Sequence, residues 1–319
     1  MPSLRSTFPA LAALALAGCA ELKMAPVEEY PVTAQRVILI SIDGARADAL
    51  PYLPTVAALT PRAVWTDAMQ TVLPALTLPA HLSMLTGRDV TQNGITQNAM
   101  DAGIAAVMRM NGMTPVFEWA RVANMRSAAI AGMSLIPAAQ RAEAQAFFGV
   151  DTLVATDGDA PALASAAIAV LRADTSVRMM FIHFPDADFA GHTYGWVSAD
   201  GTHTAAYRAA LARVDTAIAT LWSEIASSVE AGHTALIVTA DHGGGHGEGC
   251  NTGEAPTHTH CTAHPDDRLV PFVLIAKGAT PARLADALTI TQVAPTVGAL
   301  LGLPLPERAA RPVELGGSR

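Results

Sequence analysis

Five residues that can bind metal ions follow closely on three apolar segments of the chain. They are Asp43 after residues 36–42, Asp188 and His192 after residues 177–184, and Asp241 and His242 after residues 234–240. Carboxylates that crowd together repel one another and lose hydration, so a cation should lie between them. Aspartate with histidine, without a set of cysteines, suits zinc or a similar divalent metal. The three segments together therefore predict a metal centre.

The spacing within these groups supports the same interpretation. Asp188 and His192 are four residues apart, so they share one face if the segment is helical. Asp241 and His242 are adjacent and converge only if the strand ends there in a turn, which the following glycines permit. Any one of these aspartates alone is more typical of a turn or a helix cap. The agreement of three segments favours a metal site.

Thr77 is the candidate nucleophile. It lies two residues before Pro79. A helix is predicted over residues 79–86, because Pro79 suits a first helical turn and Gly87 suits a helix end. The start of a helix favours anions, although an ordinary capping threonine has the same pattern. A hydroxyl beside a metal has a lowered pKa and can act as an alkoxide at neutral pH.

Apolar runs alternate with alanine-rich stretches along the chain. Strands are predicted at residues 36–42, 177–184, 234–240 and 270–275, with a further candidate at 127–132. Helices are predicted at residues 79–86, 114–123, 161–173, 204–229 and 289–301. Continuous apolar runs are typical of strands buried on both faces of a parallel sheet. The pattern predicts an α/β fold with a mainly parallel central sheet flanked by helices on both faces, and ligands bind beyond the carboxyl ends of such strands.

Composition narrows the class of protein. The 319 residues are 51% hydrophobic and 15% charged, which argues against disorder. The formal charge of −8 argues against binding of a nucleic-acid polymer. No linker interrupts residues 36–319, so we expect a single catalytic α/β domain there, with a loose tail at residues 312–319. The sequence predicts no oligomeric state.

The N-terminus is typical of an export signal. Arg5 precedes an apolar run over residues 8–18, which is too short to span a membrane. Residues 16–19, Leu-Ala-Gly-Cys, resemble the bacterial lipoprotein signal, which implies a signal peptide over 1–18 and lipidation of Cys19. Residues 19–35 would then be a tether. The resemblance implies a periplasmic lipoprotein, anchored in the outer membrane through its lipid only; the alternative is an ordinary signal with Cys19 incidental.

The other two cysteines are Cys250 and Cys261. An exported chain occupies an oxidising compartment, so we expect a disulfide between them that closes a short loop. The alternatives are two free thiols or thiolate metal ligands.

Seven stretches resemble the alkaline phosphatase superfamily, and most closely its nucleotide pyrophosphatase/phosphodiesterase (type I phosphodiesterase) branch. They are ILISIDGARAD, LPALTLPAHLSMLTG, NGITQN, FPDADFAGHTYG, VTADHGGGHG, DRLVPFVLIAKG and QVAPTVGALLGLPLP, in the family's order from residue 36 to about residue 305. The resemblance implies an alkaline-phosphatase-like fold and two Zn²⁺ ions, with Mn²⁺ or another divalent metal as an alternative.

The resemblance also implies a role for each matching residue. One metal would be held by Asp43, Thr77, Asp241 and His242, and the other by Asp188, His192 and a later histidine. Thr77 would form a phospho-threonine intermediate, and Asn98 would donate to a phosphoryl oxygen. The later histidine is expected to be His260, with His258 and His264 as rivals, because the stretch THTHCTAHPDDR departs from the family's pattern.

Three polar residues near these motifs are expected to be neither metal ligands nor catalytic residues. His246 is expected close behind the ligands or at the surface, and Asp186 either beside His192 or at the surface. His81 is expected to pack behind the helix that carries the nucleophile, without a catalytic role.

The resemblance implies a phosphodiesterase or nucleotide pyrophosphatase acting on small phosphate esters. The alternative is a phosphomonoesterase, whose relatives add a lysine and an arginine. Lys23 lies in the tether and Lys277 after the last strand, so neither lysine is expected at the site. A sulfatase is disfavoured because that family's cysteine nucleophile motif reads Thr77-Leu78-Pro79-Ala80-His81. A different class, an envelope lipoprotein that binds metal without catalysis, is distinguished by assaying phosphate-ester hydrolysis with and without chelator.

Overall fold

The structure is a computed structural model that describes residues 24–25, 30–98, 108, 112–132, 135, 141–250, 252–285 and 287–316. The predicted signal peptide, Cys19 and residues 20–23 and 26–29 of the predicted tether lie outside this range. Within it, no helix combines the length and the hydropathy that crossing a membrane requires.

An eight-stranded sheet forms the centre of the domain, and a small two-stranded sheet lies beside it. The strands are β1 Met24–Ala25, β2 Arg36–Ile42, β3 Val64–Gln70, β4 Arg126–Gly132, β5 Thr152–Thr156, β6 Val177–Phe184, β7 Thr234–Thr239, β8 Leu269–Ile275, β9 Ala282–Arg283 and β10 Leu305–Pro306. The large sheet has the order β5-β4-β6-β2-β7-β8-β3-β9, and β1 pairs with β10. Strands β5, β4, β6, β2 and β7 are mutually parallel.

Helices cover both faces of this sheet. They are α1 Pro54–Leu59, α2 Thr77–Thr86, α3 Val90–Asn93, α4 Val116–Val122, α5 Arg141–Phe148, α6 Ala160–Ala173, α7 Asp186–Tyr194, α8 Ala205–Ala231, α9 Pro265–Arg268 and α10 Val293–Leu300. Helices α1, α6 and α8 pack together as one layer, and α2, α4 and α10 as another. Every side chain of β2 from Val37 to Ile42 is buried, which explains why its sequence is apolar at every position except Ser41. The predicted α/β class is confirmed.

The predicted elements agree with the structure where burial is complete. The expectations for 36–42 and 177–184 match β2 and β6. The strand expected at 270–275 exists as β8, but it runs antiparallel to both β7 and β3, so parallel pairing is wrong for this strand. An apolar run reports burial on two faces, and β8 shares that burial with the parallel strands. The sequence does not predict β3 and β5, because their side chains are only partly buried and their apolar pattern is broken.

Both ends of the described chain pack against the domain. The expectation of a loose tail is wrong for residues 312–316, since Val313 and Leu315 are buried and Val313 N donates to Thr296 Oγ1 at 2.8 Å. The end of the predicted tether also touches the domain, where Tyr30 Oη donates to Val313 O at 2.6 Å. Val32 is buried in the same core. The domain boundary at residue 36 stays a prediction, and residues 30–35 extend the packed structure.

Candidate metal centre and nucleophile

The carboxyl ends of β6, β2 and β7 lie side by side, because these strands are parallel neighbours. After β2, the Asp43 N–H donates to Phe184 O at 2.9 Å, and Asp43 O accepts from Asp188 N at 3.0 Å. Gly44 has a φ of +72°, and a Cβ there would lie 2.8 Å from Asp188 Cα. The turn after β2 therefore packs directly on the first turn of α7 and brings the carboxylates together.

Asp43, Thr77, Asp241 and His242 form a group that we call site A. His242 Nε2 lies 3.3 Å from Asp43 Oδ1 and 3.2 Å from Asp241 Oδ2. It lies 3.1 Å from Thr77 Oγ1. The two aspartates and the histidine are fully buried. The sequence prediction for this group thus corresponds to one compact cluster.

Asp188, His192 and His260 form a second group, site B. His192 Nε2 lies 3.2 Å from His260 Nε2 and 3.5 Å from Asp188 Oδ1. His260 Nε2 lies 3.6 Å from the same Asp188 oxygen. The His242 and His260 rings stack with centroids 3.7 Å apart, so the two sites adjoin.

The two rival histidines lie elsewhere. His258 Nδ1 donates to the backbone oxygen of His192 at 3.0 Å and not to the site B atoms. His264 stacks on His246, with ring centroids 3.6 Å apart, and His246 Nε2 lies 2.9 Å from Asp266 Oδ2. Arg46 already neutralises Asp266 at 2.8 Å, so hydrogen bonds and an ion pair account for this third group without a metal.

Both sites fit zinc by ligand spacing and by unsatisfied atoms. Tetrahedral coordination with bonds of about 2.0–2.1 Å places neighbouring ligand atoms about 3.3 Å apart, and the measured separations run from 3.1 to 3.6 Å. Five buried side-chain atoms of the described residues lack hydrogen-bond partners, among them Asp43 Oδ1, Asp188 Oδ1 and Asp241 Oδ2. Buried carboxylate oxygens without partners are strongly unfavourable, and a cation in each site would satisfy them.

The three histidines present the same nitrogen to the sites. Nδ1 of His242 donates to Gly243 O at 2.8 Å, and Nδ1 of His260 donates to Ala75 O. Nδ1 of His192 donates to Glu254 Oε2 at 3.1 Å. An oxygen acceptor at Nδ1 assigns the proton to that atom and leaves the lone pair on Nε2. Two such lone pairs, on His192 and His260, face each other at 3.2 Å, an arrangement that a cation between them stabilises.

Burial sets the protonation of the site. It raises the pKa of Asp43 well above its ordinary value, with the charges of Asp241 and Asp188 adding to the effect. Burial also raises the pKa of Asp188 to about 7, although His192 opposes it. It lowers the pKa of His242 to about 3 and the pKa of His260 well below its ordinary value. The imidazoles of His242 and His260 are therefore neutral at pH 7, as metal ligation requires, and a nearby positive charge would favour ionisation of Asp43 and Asp188.

Thr77 is the first residue of α2, two residues earlier than expected. Helix α2 ends as predicted, with Gly87 in the left-handed conformation. Leu78 N donates to Asn98 Oδ1 at 2.9 Å, so Asn98 lies beside the start of the helix. His81 is buried beneath them, where its Nδ1 donates to Thr77 O at 2.8 Å and its Nε2 lies 3.0 Å from Ser41 Oγ. It therefore connects α2 to β2 behind Thr77, the position expected from the sequence.

His183 is a site residue that sequence reasoning misses. Its Nδ1 accepts from Gly132 N at 3.3 Å, so its Nε2–H donates to Asp43 Oδ2 at 2.8 Å. Burial lowers the pKa of His183 to about 3, which keeps the ring neutral. The bond fixes one Asp43 oxygen and directs the other, Oδ1, into site A. The signal was a lone histidine in the buried strand VRMMFIHF, where a polar side chain needs a partner.

Asp186 has neither of its two expected roles. Its Oδ2 accepts from Ala160 N at 2.8 Å, at the start of α6, and its Oδ1 accepts from Arg213 Nε at 3.2 Å. The residue is buried, and these two contacts join α6, α7 and α8 behind the site. The sequence alone does not indicate whether the side chain of Asp186, two residues before Asp188, points toward the site or away from it.

Cys250 and Cys261 form a disulfide with an S–S distance of 2.00 Å and a Cα–Cα distance of 6.0 Å, in agreement with the expectation. The alternatives of free thiols and thiolate ligands do not hold. The bond closes the segment that delivers His260 to site B.

Comparison with known proteins agrees with this geometry. The sequence model of the family described as type I phosphodiesterase / nucleotide pyrophosphatase matches residues 37–261. No curated protein sequence matches the chain significantly.

Solved structures show the same fold. A murine ectonucleotide pyrophosphatase / phosphodiesterase 5 superposes with a TM-score of 0.64 at 15% identity, covering 86% of this chain and 98% of that one. An inactive threonine-to-alanine variant of that protein in complex with AMP gives 0.61 at 16% identity, covering 86% and 97%. A putative sulfatase from Bacteroides fragilis gives 0.66 at 14% identity, covering 91% and 78%. At these identities the likeness concerns the fold alone.

The family match spans more than two thirds of the chain and includes the ends of β2, β6 and β7. It also contains every residue of sites A and B. The chain therefore belongs to the type I phosphodiesterase/nucleotide pyrophosphatase family, a family of metal-dependent phosphoric ester hydrolases in the alkaline phosphatase superfamily.

Proposed function

We propose that the chain hydrolyses phosphodiesters or nucleotide pyrophosphates at a two-zinc centre, with Thr77 as the nucleophile. The observation that carries the proposal is the position of Thr77 Oγ1, which lies 3.1 Å from His242 Nε2, the same atom that lies 3.2–3.3 Å from the unpartnered oxygens of Asp241 and Asp43. A lone hydroxyl at a helix start is ordinary, whereas a hydroxyl beside a bound metal ion would have a lowered pKa and could act as a nucleophile.

Asp43, Thr77, Asp241 and His242 would hold one zinc ion, and Asp188, His192 and His260 the other, with Mn²⁺ or another divalent ion as an alternative. Bound zinc lowers the pKa of a coordinated hydroxyl and stabilises negative charge on phosphoryl oxygens. The chain's own contribution is to hold these ligands in place, since His183, Gly44 N and three Nδ1–H bonds fix them from behind.

Thr77 Oγ would attack the phosphorus in line, and the leaving alcohol or phosphate would depart from the opposite side. Water would then cleave the phospho-threonine and release a phosphate monoester. Asn98 Oδ1 accepts from Leu78 N, so Asn98 Nδ2 is the atom left to donate to a phosphoryl oxygen. The backbone N–H groups at the start of α2 favour the same negative charge.

Two basic residues, Lys277 and Arg46, give no support to the phosphomonoesterase alternative, whose substrate carries one more negative charge than a diester. Lys277 Nζ contacts Ala231 O, before β7 begins, and therefore lies at the edge of the sheet opposite Asp241. Arg46 is neutralised by Asp48 and Asp266. Neither Lys277 nor Arg46 therefore supplies a charge for a further phosphate oxygen.

The first prediction concerns this reaction. We expect release of p-nitrophenol from bis-p-nitrophenyl phosphate to exceed release from p-nitrophenyl phosphate, to stop with chelator and to return with zinc. Thr77→Ala should lower kcat by roughly a thousandfold or more, because it removes the nucleophile. Thr216→Ala, on the exposed face of α8, is the matched control and should leave kcat unchanged.

Three results would contradict the proposal. Near-normal diesterase activity in Thr77→Ala would exclude Thr77 as the nucleophile. A clear preference for the monoester would favour the phosphomonoesterase. No hydrolysis of either ester by the zinc-loaded chain would favour a binding protein.

We also propose that the chain is an exported lipoprotein with a signal peptide over residues 1–18, a lipid on Cys19 and a single catalytic domain from residue 36. The Leu-Ala-Gly-Cys pattern supports this. In a bacterial host, wild type should incorporate labelled palmitate and fractionate with membranes, because acyl chains bury in the bilayer. Cys19→Ser should do neither. Equal membrane recovery of both would contradict lipid anchoring.

A further inference from the structure

The loop that the Cys250–Cys261 disulfide closes reaches across to helix α7; we call it the 250–261 loop. It contributes His260 to site B. Three further contacts join the loop to α7 and the residues after it. Glu254 Oε2 accepts from His192 Nδ1 at 3.1 Å, His258 Nδ1 donates to His192 O at 3.0 Å, and Trp196 N donates to Thr257 O at 2.9 Å. The loop therefore holds His192 by both its ring and its backbone.

Glu254 is not placed as a metal ligand itself. It contacts Nδ1 of His192, whereas Nε2 of the same ring faces Asp188 and His260 in site B. The two nitrogens lie on opposite sides of the imidazole ring. A carboxylate at Nδ1 fixes the proton there, holds the ring plane and increases the basicity of Nε2.

His192 differs from the other two histidines in how its ring is held. Nδ1 of His242 and Nδ1 of His260 donate to backbone carbonyls inside the core. The His192 side chain is 33% exposed, and its acceptor is a side chain that is itself 42% exposed. The orientation of His192 thus depends on a surface carboxylate, and that carboxylate is kept in place by the loop.

We propose that Glu254 is a positioning residue for His192 and that the Cys250–Cys261 disulfide holds it there, so that loss of the Glu254–His192 contact lowers the metal affinity of site B and leaves that of site A unchanged. The inference rests on the proposed two-metal centre. Site A draws its ligands from the ends of β2 and β7 and from α2, outside the loop.

The test measures zinc dissociation constants of the full chain by competition with a chromogenic chelator. Glu254→Ala should weaken the binding of one of the two zinc ions by roughly 10–100-fold and leave the affinity for the other unchanged. Glu254→Gln, which keeps an oxygen acceptor without its charge, should restore part of the affinity. Glu248→Ala, an exposed glutamate just before the loop, is the matched control and should bind both ions as wild type does.

Two readouts separate positioning from a general structural effect. Excess zinc should restore kcat in Glu254→Ala with KM unchanged, and thermal unfolding of the metal-free variant should match that of wild type. The double variant Cys250→Ser/Cys261→Ser should weaken the binding of the same zinc ion. Adding Glu254→Ala to it should then have a smaller effect on that affinity than in wild type, because both changes disrupt the same Glu254–His192 contact.

Unchanged zinc constants in Glu254→Ala would overturn the inference even if Thr77-dependent diesterase activity stands. Equal effects of Glu254→Ala with and without the disulfide would overturn the role of the loop. A wild-type chain that binds fewer than two zinc ions would contradict both this inference and the proposed function.

Discussion

Asp43 and Asp241 each place one carboxylate oxygen in a hydrogen bond and leave the other without a partner in site A. Asp43 Oδ2 accepts from His183, and Asp241 Oδ1 accepts from Gly44 N at 3.2 Å. The second oxygen of each lacks a hydrogen bond and faces His242. The hydrogen-bonded oxygen sets the direction of the unpartnered one. In the proposed metal centre, a cation would therefore meet side chains that are already oriented, and little conformational entropy would be lost on binding.

The same burial makes the metal-free centre sensitive to pH. The pKa of Asp188 is raised to about 7, against about 3.9 in an unfolded chain. The folded state binds this proton more tightly, so its contribution to stability is complete below about pH 4 and is lost as pH rises through 7. Buried histidines with lowered pKa values, such as His242, act in the opposite direction, so the comparison needs a variant that isolates Asp188.

Asp188→Asn provides that comparison. In metal-free protein, we expect the free energy of unfolding of Asp188→Asn to rise relative to wild type between about pH 4 and pH 7. With zinc present, Asp188→Asn should be less stable than wild type, because the variant lacks one of the proposed zinc ligands. Denaturant unfolding with and without chelator measures both. A pH-independent difference in the metal-free proteins would contradict the raised pKa.

At the scale of elements, the site depends on how closely the turn after β2 approaches α7. Gly44 combines a φ of +72° with a backbone neighbour that leaves no room for a Cβ. Tyr207 Oη, from α8, donates to Gly44 O at 3.0 Å, and Trp196 Nε1 donates to the same oxygen at 2.9 Å. The turn is therefore held from two directions, and sites A and B are brought together through this turn.

Gly44→Ala tests the approach, with Gly94→Ala as a matched control. Gly94 has a φ of +75° but nothing within 4 Å of its added Cβ. Gly94→Ala should lose about 1–2 kcal/mol of stability, from backbone conformation alone. Gly44→Ala should lose more and should also weaken zinc binding by roughly tenfold, because Asp188 must move. Thermal unfolding and zinc competition measure these effects; equal losses in both variants would contradict the role of the close approach.

At the scale of the whole molecule, the two ends of the described chain contact each other and pack against the domain. Strand β1 pairs with β10, and Tyr30 donates to Val313 O. Thr280 N donates to Leu315 O at 3.1 Å, so the C-terminal segment also closes over the loop after β8. These contacts lie outside the family match, which ends at residue 261, and they complete the core around α10.

Leu315→Ala should destabilise the domain by about 2–5 kcal/mol, since it empties a buried position. Glu314→Ala, at the exposed neighbouring residue, should change stability by less than about 0.5 kcal/mol. Urea unfolding of the zinc-loaded proteins measures both. Similar stabilities of the two variants would mean that the tail is loose in solution.

The sequence by itself determined the α/β class, the strands at the centre and the five candidate metal ligands that follow these strands. These features are local, because burial on two faces requires a continuous apolar run, and a ligand must follow the strand that carries it. Only the tertiary structure decided that His260 and not His258 or His264 enters site B, that His183 holds Asp43, and that β8 runs antiparallel. Each of these depends on a contact between distant parts of the chain. Such contacts are set by how the layers pack, and no spacing along one segment encodes them.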